Sequence, residues 1–252
     1  METAIVRCAS LPDVTWLDSS TCSFTDDLAV FRFQLPKHRR FANHLRSLLH
    51  TDEQTRAERY YRDEDRQRFM YTRAILRILA GYYTNQHPDR IRILAGLNNK
   101  PELDGNTGWH INVSHSGSWV LIALGRVNLG IDVEKISPDF PFHDVLMPSF
   151  SPDEQQRIET SSEARLAFYQ LWTRKEALLK ATAKGIHDDL PRIPSLDGTH
   201  YVESNQLGGT GNWLVTGFMV TDTYPAALAY HLVSKIPKFY TLDSGLLDHY
   251  ES

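Results

Sequence analysis

The stretch that most limits the fold of this chain is SWVLIALG followed by LGIDVEK, two strand-like runs joined across a short turn at residues 125–128. Apolar runs of this length, bounded by turn signals, read as strands that other layers must cover. Helical patterns flank them on both sides. Upstream, Thr51-Asp-Glu-Gln54 fits a capping box, and Phe69, Met70, Ile75, Leu76, Ile78 and Leu79 recur at helical spacing up to Gly81. Downstream, Ser151-Pro-Asp-Glu154 fits a second capping box, and a long helix is predicted over roughly 164–183, ending near Gly185. LAVFRFQL alternates as a strand until Pro36 breaks it. IRIL at 91–94, NWLVTGFMV and ALAYHLV add further strands. The order strand, helix, strands, helix, strands predicts an α+β fold. A boundary near 128–134 divides it into halves 1–128 and 129–252. The first 50 residues are mixed in pattern, and the tail after Val233 reads as an extension.

Composition removes several function classes. Lys plus Arg is 27 and Asp plus Glu is 31, a formal charge of −4, which disfavours a whole-surface nucleic-acid binder. Two cysteines, Cys8 and Cys22, make no disulfide framework and suggest a reducing compartment. The opening METAIVRCASLP lacks a cationic start before an apolar run, so no signal peptide is expected. No apolar run approaches a membrane span. A cytoplasmic protein is expected, with neither nucleic acid nor membrane as partner.

Four local patterns could carry chemistry. Asp132 and Glu134 are two apart on a predicted strand and so share a face; they are either solvent-exposed or hold a cation between them. Glu176 and Lys180 are four apart on the long helix, the spacing of a plain surface ion pair, but Trp172 shares their face. Ser114-His115-Ser116-Gly117 is either a simple turn or a loop able to grip phosphate; no G-x-S-x-G elbow accompanies it. Arg56, Arg59, Arg62, Arg66, Arg68, Arg73 and Arg77 concentrate in the first helical region, where they are either balanced by neighbouring acids or face phosphate.

In combination and in order these patterns are more telling. N-V-S-H-S-G, then G-I-D-V-E, then L-W-T-R-K-E-A-L-L-K-A-T-A-K-G-I resembles the 4′-phosphopantetheinyl transferase superfamily, and the length looks like its surfactin-synthetase-activating type. The resemblance runs from about Arg56 to Ile186. It implies two similar α/β halves related by a pseudo-two-fold axis, each a small sheet packed against a long helix. It also implies transfer of the phosphopantetheine arm of coenzyme A to a serine of an apo acyl or peptidyl carrier protein, by a monomer, in fatty-acid, polyketide or non-ribosomal peptide synthesis. By similarity, Asp132, Glu134 and Glu176 would hold Mg²⁺ (or Mn²⁺), and Glu176 would take the serine proton. Lys180, His115 and Ser114 would contact the phosphates, Lys100 would sit near the nucleotide, and Arg56 would face the 3′-phosphate.

Two positions depart from the family pattern. Asn99 stands where G-K-P has Gly, and Ala183 replaces a usual Gly, which would be strained if that position needs positive φ. The loop 136–147, carrying Phe140, Phe142, Val145, Leu146 and Met147, is a candidate carrier-docking surface or a cap on the core. A metal-dependent phosphohydrolase and a non-catalytic coenzyme A or carrier-binding module are the alternative functions.

Overall fold

The computed structural model describes residues 2–35, 43–185, 189–232 and 236–242. Among the described residues, twelve strands form two five-stranded sheets and a hairpin. They are β1 (Thr3–Ser10), β2 (Trp16–Asp18), β3 (Leu28–Gln34), β4 (Ile93–Ala95), β5 (Pro101–Leu103), β6 (His110–Ser116), β7 (Trp119–Gly125), β8 (Leu129–Val133), β9 (Gly198–Glu203), β10 (Asn212–Thr221), β11 (Tyr224–His231) and β12 (Lys238–Thr241). The helices are α1 (Asn43–Arg46), α2 (Thr51–Glu58), α3 (Asp63–Thr84), α4 (Leu146–Ser149), α5 (Pro152–Glu159), α6 (Ala164–Thr182) and α7 (Ser204–Leu207). One sheet has the order β8-β11-β10-β1-β9, the other β2-β12-β3-β7-β6, and β4 pairs with β5. The fold is mixed α+β.

Period-two alternation sorts the strand residues into layers. On β3 and β7, Ala29, Phe31, Phe33, Val120, Ile122 and Leu124 pack against Ile75, Leu76 and Leu79 of α3. The opposite face of those strands, Leu28, Val30, Leu121 and Ala123, packs against Leu129, Ile131, Val133 and Leu228 of the other sheet. That sheet turns Val6, Val215, Ala227 and Ala229 toward Ala177, Leu178 and Ala181 of α6. The result is helix, sheet, sheet, helix. It explains why β7 and β8 are buried at every position and read as unbroken apolar runs.

Several elements differ from the sequence reading. The turn after β7 closes no hairpin. β7 pairs with β3 and β6, whereas β8 pairs with β11, so Arg126–Asn128 carries the chain from one sheet to the other. The N-terminal β1 lies in the sheet of β8, paired with β10 and β9, and the tail strand β12 lies between β2 and β3. Each sheet is thus completed by a strand from the opposite end of the chain, a long-range pairing with no local signal. The first capping box uses His50, not Thr51, at the N-cap, with Glu53 returning to the His50 amide. Ser151 and Glu154 form the second box as read. α3 runs through Gly81 to Thr84. Pro36, Ile186 and Val233 lie outside the described residues.

Candidate active site at the seam of the two sheets

Asp132 reaches its place because β8 presses unusually close to α6. A Cβ on Gly130 would stand 2.2 Å from the Ala177 carbonyl oxygen and 2.3 Å from the Ala181 amide nitrogen, so only glycine permits this approach. Two residues along β8, Asp132 is 2 % exposed. Its Oδ1 accepts from Lys180 Nζ at 2.6 Å and from Ser114 Oγ at 2.9 Å. Lys180 also donates to Ser114 Oγ at 3.1 Å. The spacing suggested a pair between Glu176 and Lys180, but Lys180 crosses from α6 to Asp132 instead.

α6 is held in register by groups beneath the site. The buried Lys175 pairs with Glu154 of α5 at 2.8 Å, and Arg174 bonds the Ser195 carbonyl and Asp197. Trp172 packs with Phe168 and Phe150.

Glu176, 9 % exposed, sits on the buried side of α6. Burial first, then the nearby Asp132 carboxylate, pushes its pKa up from 4.5 to about 7; Lys180 opposes the shift and Glu134 adds to it. Glu134 is half-buried, bonded by Ser116 Oγ at 2.9 Å, and its pKa is likewise raised by burial and then by Asp132. The three carboxylates are therefore close enough to feel one another. Asp132 Oδ2 and Glu176 Oε1 are buried without a hydrogen-bond partner. Two unsatisfied carboxylate oxygens on facing elements fit the hard oxygen-donor set of a divalent cation. Among the described residues, no cluster of three or more His, Cys, Asp or Glu side chains forms a ready-made metal site.

Beside this group lies a basic cavity of about 320 Å³, lined in part by Arg56, Arg68, Thr72, Arg73, Pro101 and His115. His115 and Ser114 are neighbours on β6 and so face opposite ways: His115 opens onto the cavity, and Ser114 is buried in the seam. Desolvation of the His115 ring by the cavity wall, then the charges of Arg68 and Lys180, hold its pKa below the ordinary value. Arg68 Nε, Thr72 Oγ1 and Arg73 Nη1 are buried without hydrogen-bond partners. The arginine run has divided roles. Arg77 is 1 % exposed and bonded to Glu53, Arg66 pairs with Asp63, and Arg68 also pairs with Asp65 at 3.4 Å. Arg68, Thr72 and Arg73 were not singled out individually by the sequence; Arg68 and Thr72 are four apart and so share a face of α3, with Arg73 next to Thr72, and that pairing is the signal that could have found them.

Lys100, expected near the nucleotide, lines a cavity with Pro101 and His110 and also ties two elements together. Its Nζ donates to the Leu129 and Ala181 carbonyls at 3.0 and 2.9 Å, tying the start of β8 to the end of α6. Burial lowers its pKa to about 8. Asn99 takes positive φ (60°), as a residue in a glycine slot must. Ala183 also takes positive φ (55°) at the C-cap of α6, the strained conformation anticipated for it. In the loop 136–147, Phe142 and Leu146 belong to the core, while Phe140 and Met147 are exposed. Phe142 is therefore removed as a surface contact.

Known proteins match this chain across the same regions. Residues 128–229 match the model of the 4′-phosphopantetheinyl transferase superfamily, and residues 35–126 match that of the 4′-phosphopantetheinyl transferase N-terminal region. The 4′-phosphopantetheinyl transferase HetI of Nostoc sp. is 31 % identical over 234 residues, covering 90 % of this chain and 98 % of its own length. The chain belongs to the 4′-phosphopantetheinyl transferase superfamily. The 4′-phosphopantetheinyl transferase Sfp of Bacillus subtilis is 28 % identical over 142 residues, 56 % of this chain and 62 % of Sfp. Both superfamily matches break near residue 127, where the chain passes from one sheet to the other. No helix among the described residues is long and apolar enough to cross a membrane.

Proposed function

We propose that this transferase moves the 4′-phosphopantetheine group of coenzyme A onto a serine hydroxyl of an apo acyl or peptidyl carrier protein. The observation that carries the reading is the meeting of Asp132, Glu176 and Lys180 beside a basic cavity, with carboxylate oxygens left unsatisfied. Arg56, Arg68, Arg73 and His115 supply donors for the phosphates of coenzyme A, the most charged part of the substrate. Asp132, Glu134 and Glu176 would hold Mg²⁺ or Mn²⁺, which when bound neutralises pyrophosphate charge.

The chain's own residues account for the remaining steps. Lys180 holds positive charge at the seam, against the charge that builds on the departing phosphate. The carrier serine oxygen forms a bond to the phosphorus of the pantetheine-bearing phosphate. The bond from that phosphorus to the bridging oxygen breaks, and adenosine 3′,5′-bisphosphate leaves with the electron pair. Glu176 accepts the serine proton.

Lys100 acts here as a brace for α6 and β8, and Ser114 positions Asp132. The two halves, 1–128 and 129–252, each supply one long helix and four strands of one five-stranded sheet, and each gives its remaining strand, β1 or β12, to the other sheet; they are proposed to be related by a pseudo-two-fold axis. A cytoplasmic monomer is the working state, and the exposed Phe140 and Met147 are the proposed carrier contact. A phosphohydrolase or a non-catalytic binding module is not favoured, since the named relatives are transferases.

Incubation with coenzyme A and a panel of apo carriers tests the reading. The expected result is a carrier heavier by one phosphopantetheine arm, together with release of the bisphosphate and loss of both in chelator. Cleavage of coenzyme A with no gain on any carrier would overturn it.

A further inference from the structure

β6 and β8 are both end strands of their sheets, and each has a single backbone partner, β7 and β11 respectively. They face each other across the seam, where the amides of β8 would be left unpaired unless other groups reached them. Side chains meet that need. Asn112 Oδ1 accepts from the Ile131 amide at 2.9 Å, Ser114 Oγ from the Val133 amide at 3.3 Å, and Ser116 Oγ from the Lys135 amide at 2.9 Å. The three acceptors are alternate residues on one face of β6, and the three donors are alternate residues along β8 and the segment just past its end. The offset is 19 residues at every rung, so the strands run in the same direction with one fixed register.

We propose that Asn112, Ser114 and Ser116 form a side-chain ladder that sets the register of the carboxylate strand against the strand bearing His115, with Asn112 as a positioning residue for catalysis. This rests on the transferase reading above. The rungs flank Asp132 and Glu134, and two of them also hold the carboxylates directly, Ser114 on Asp132 and Ser116 on Glu134. Asn112 is 3 % exposed and touches neither carboxylate, so its part is to hold β8. The basic cavity is lined chiefly from α2, α3 and β6 and does not depend on β8 for its shape. Loosening the ladder therefore separates two quantities. Coenzyme A binding should persist, while the carboxylates drift relative to the phosphates; a displacement of about 1 Å can lower turnover about 100-fold.

Two variants test it in the full chain. Asn112→Leu keeps the bulk and leaves the Ile131 amide unpaired. Ser116→Ala, at a half-buried position, removes one rung with little risk to folding. Steady-state kinetics with a carrier substrate are read together with amide hydrogen exchange. The expected result for both is kcat per folded molecule lowered about 10-fold or more, KM for coenzyme A within about twofold of the parent, and faster exchange at Ile131, Val133 or Lys135. Unchanged exchange, or faster exchange with parental kcat, overturns the proposal; so does a loss that lies wholly in KM. If the parent protein modifies no carrier, the transferase reading fails by itself, and amide exchange still decides whether the ladder exists.

Discussion

Glu176→Gln should stabilise the fold of the metal-free protein and lower the turnover of the metal-supplied enzyme. The folded state raises the carboxyl pKa from 4.5 to about 7, mainly through burial and then through Asp132. Between these values the folded protein holds a proton that the unfolded chain releases, so the wild type loses stability as pH rises through that window. A shift of this size corresponds to about 3 kcal/mol once pH is well above 7. Glutamine keeps the shape and never ionises. The variant should therefore match the wild type to within about half a kcal/mol near pH 4.5 and exceed it by about 3 kcal/mol near pH 8. Urea unfolding with chelator at the two pH values measures the difference. Turnover should fall about 100- to 10,000-fold from loss of the base. A stability difference that is the same at both pH values would show that Glu176 is not the buried, repelled carboxylate described here. Near-normal turnover would remove its role as base.

Gly130→Ala should cost about 3 kcal/mol, since the new Cβ meets backbone atoms of α6 that cannot rotate away, and thermal unfolding reads this directly. Ala183→Gly should raise stability by roughly 0.5–1 kcal/mol, the relief of left-handed strain less the added freedom of the unfolded chain; no gain in a denaturant midpoint would contradict the strain. Arg73→Ala should raise KM for coenzyme A about tenfold or more with a smaller change in kcat, as expected for a ground-state phosphate contact. In Lys100→Met the rise in stability expected of the wild type from pH 8 toward 10.5, where the unfolded chain keeps a proton that folded Lys100 has released, should vanish.

The elements that were legible in the sequence are those whose signal is local. α6, α3, β7, β8 and the Ser151–Glu154 box each show a period or a cap within their own residues. β1 and β12 were not legible because their partners lie at the other end of the chain, and strand pairing at that separation leaves no periodic trace. The short turn after β7 and the buried pattern of both strands fit a hairpin as well as they fit two stacked sheets. Only the partner strands distinguish them. Among site residues, the carboxylates and Lys180 stood out by motif. Arg68 and Arg73 were hidden among five other arginines, some of which are paired with acids, as Arg77 is with Glu53.

The departures from the family pattern are also informative about where the site gets its precision. Positive φ at Asn98, Asn99 and Ala183 falls at the two places where the loop before β5 meets the end of α6. There Asn98 Nδ2 donates to the Ala183 and Lys184 carbonyls at 2.8 Å each, and Lys100 caps Ala181. These bonds satisfy carbonyls that the helix end leaves free. They join the half that carries the basic cavity to the helix that carries Glu176 and Lys180. Strain at Ala183 is thus held by contacts that also fix the site, and the side-chain ladder of β6 fixes its other edge. The apolar core shared by the two sheets is non-directional, so bonds of this kind across the seam are needed to fix the distance between the carboxylates and the phosphate-binding arginines.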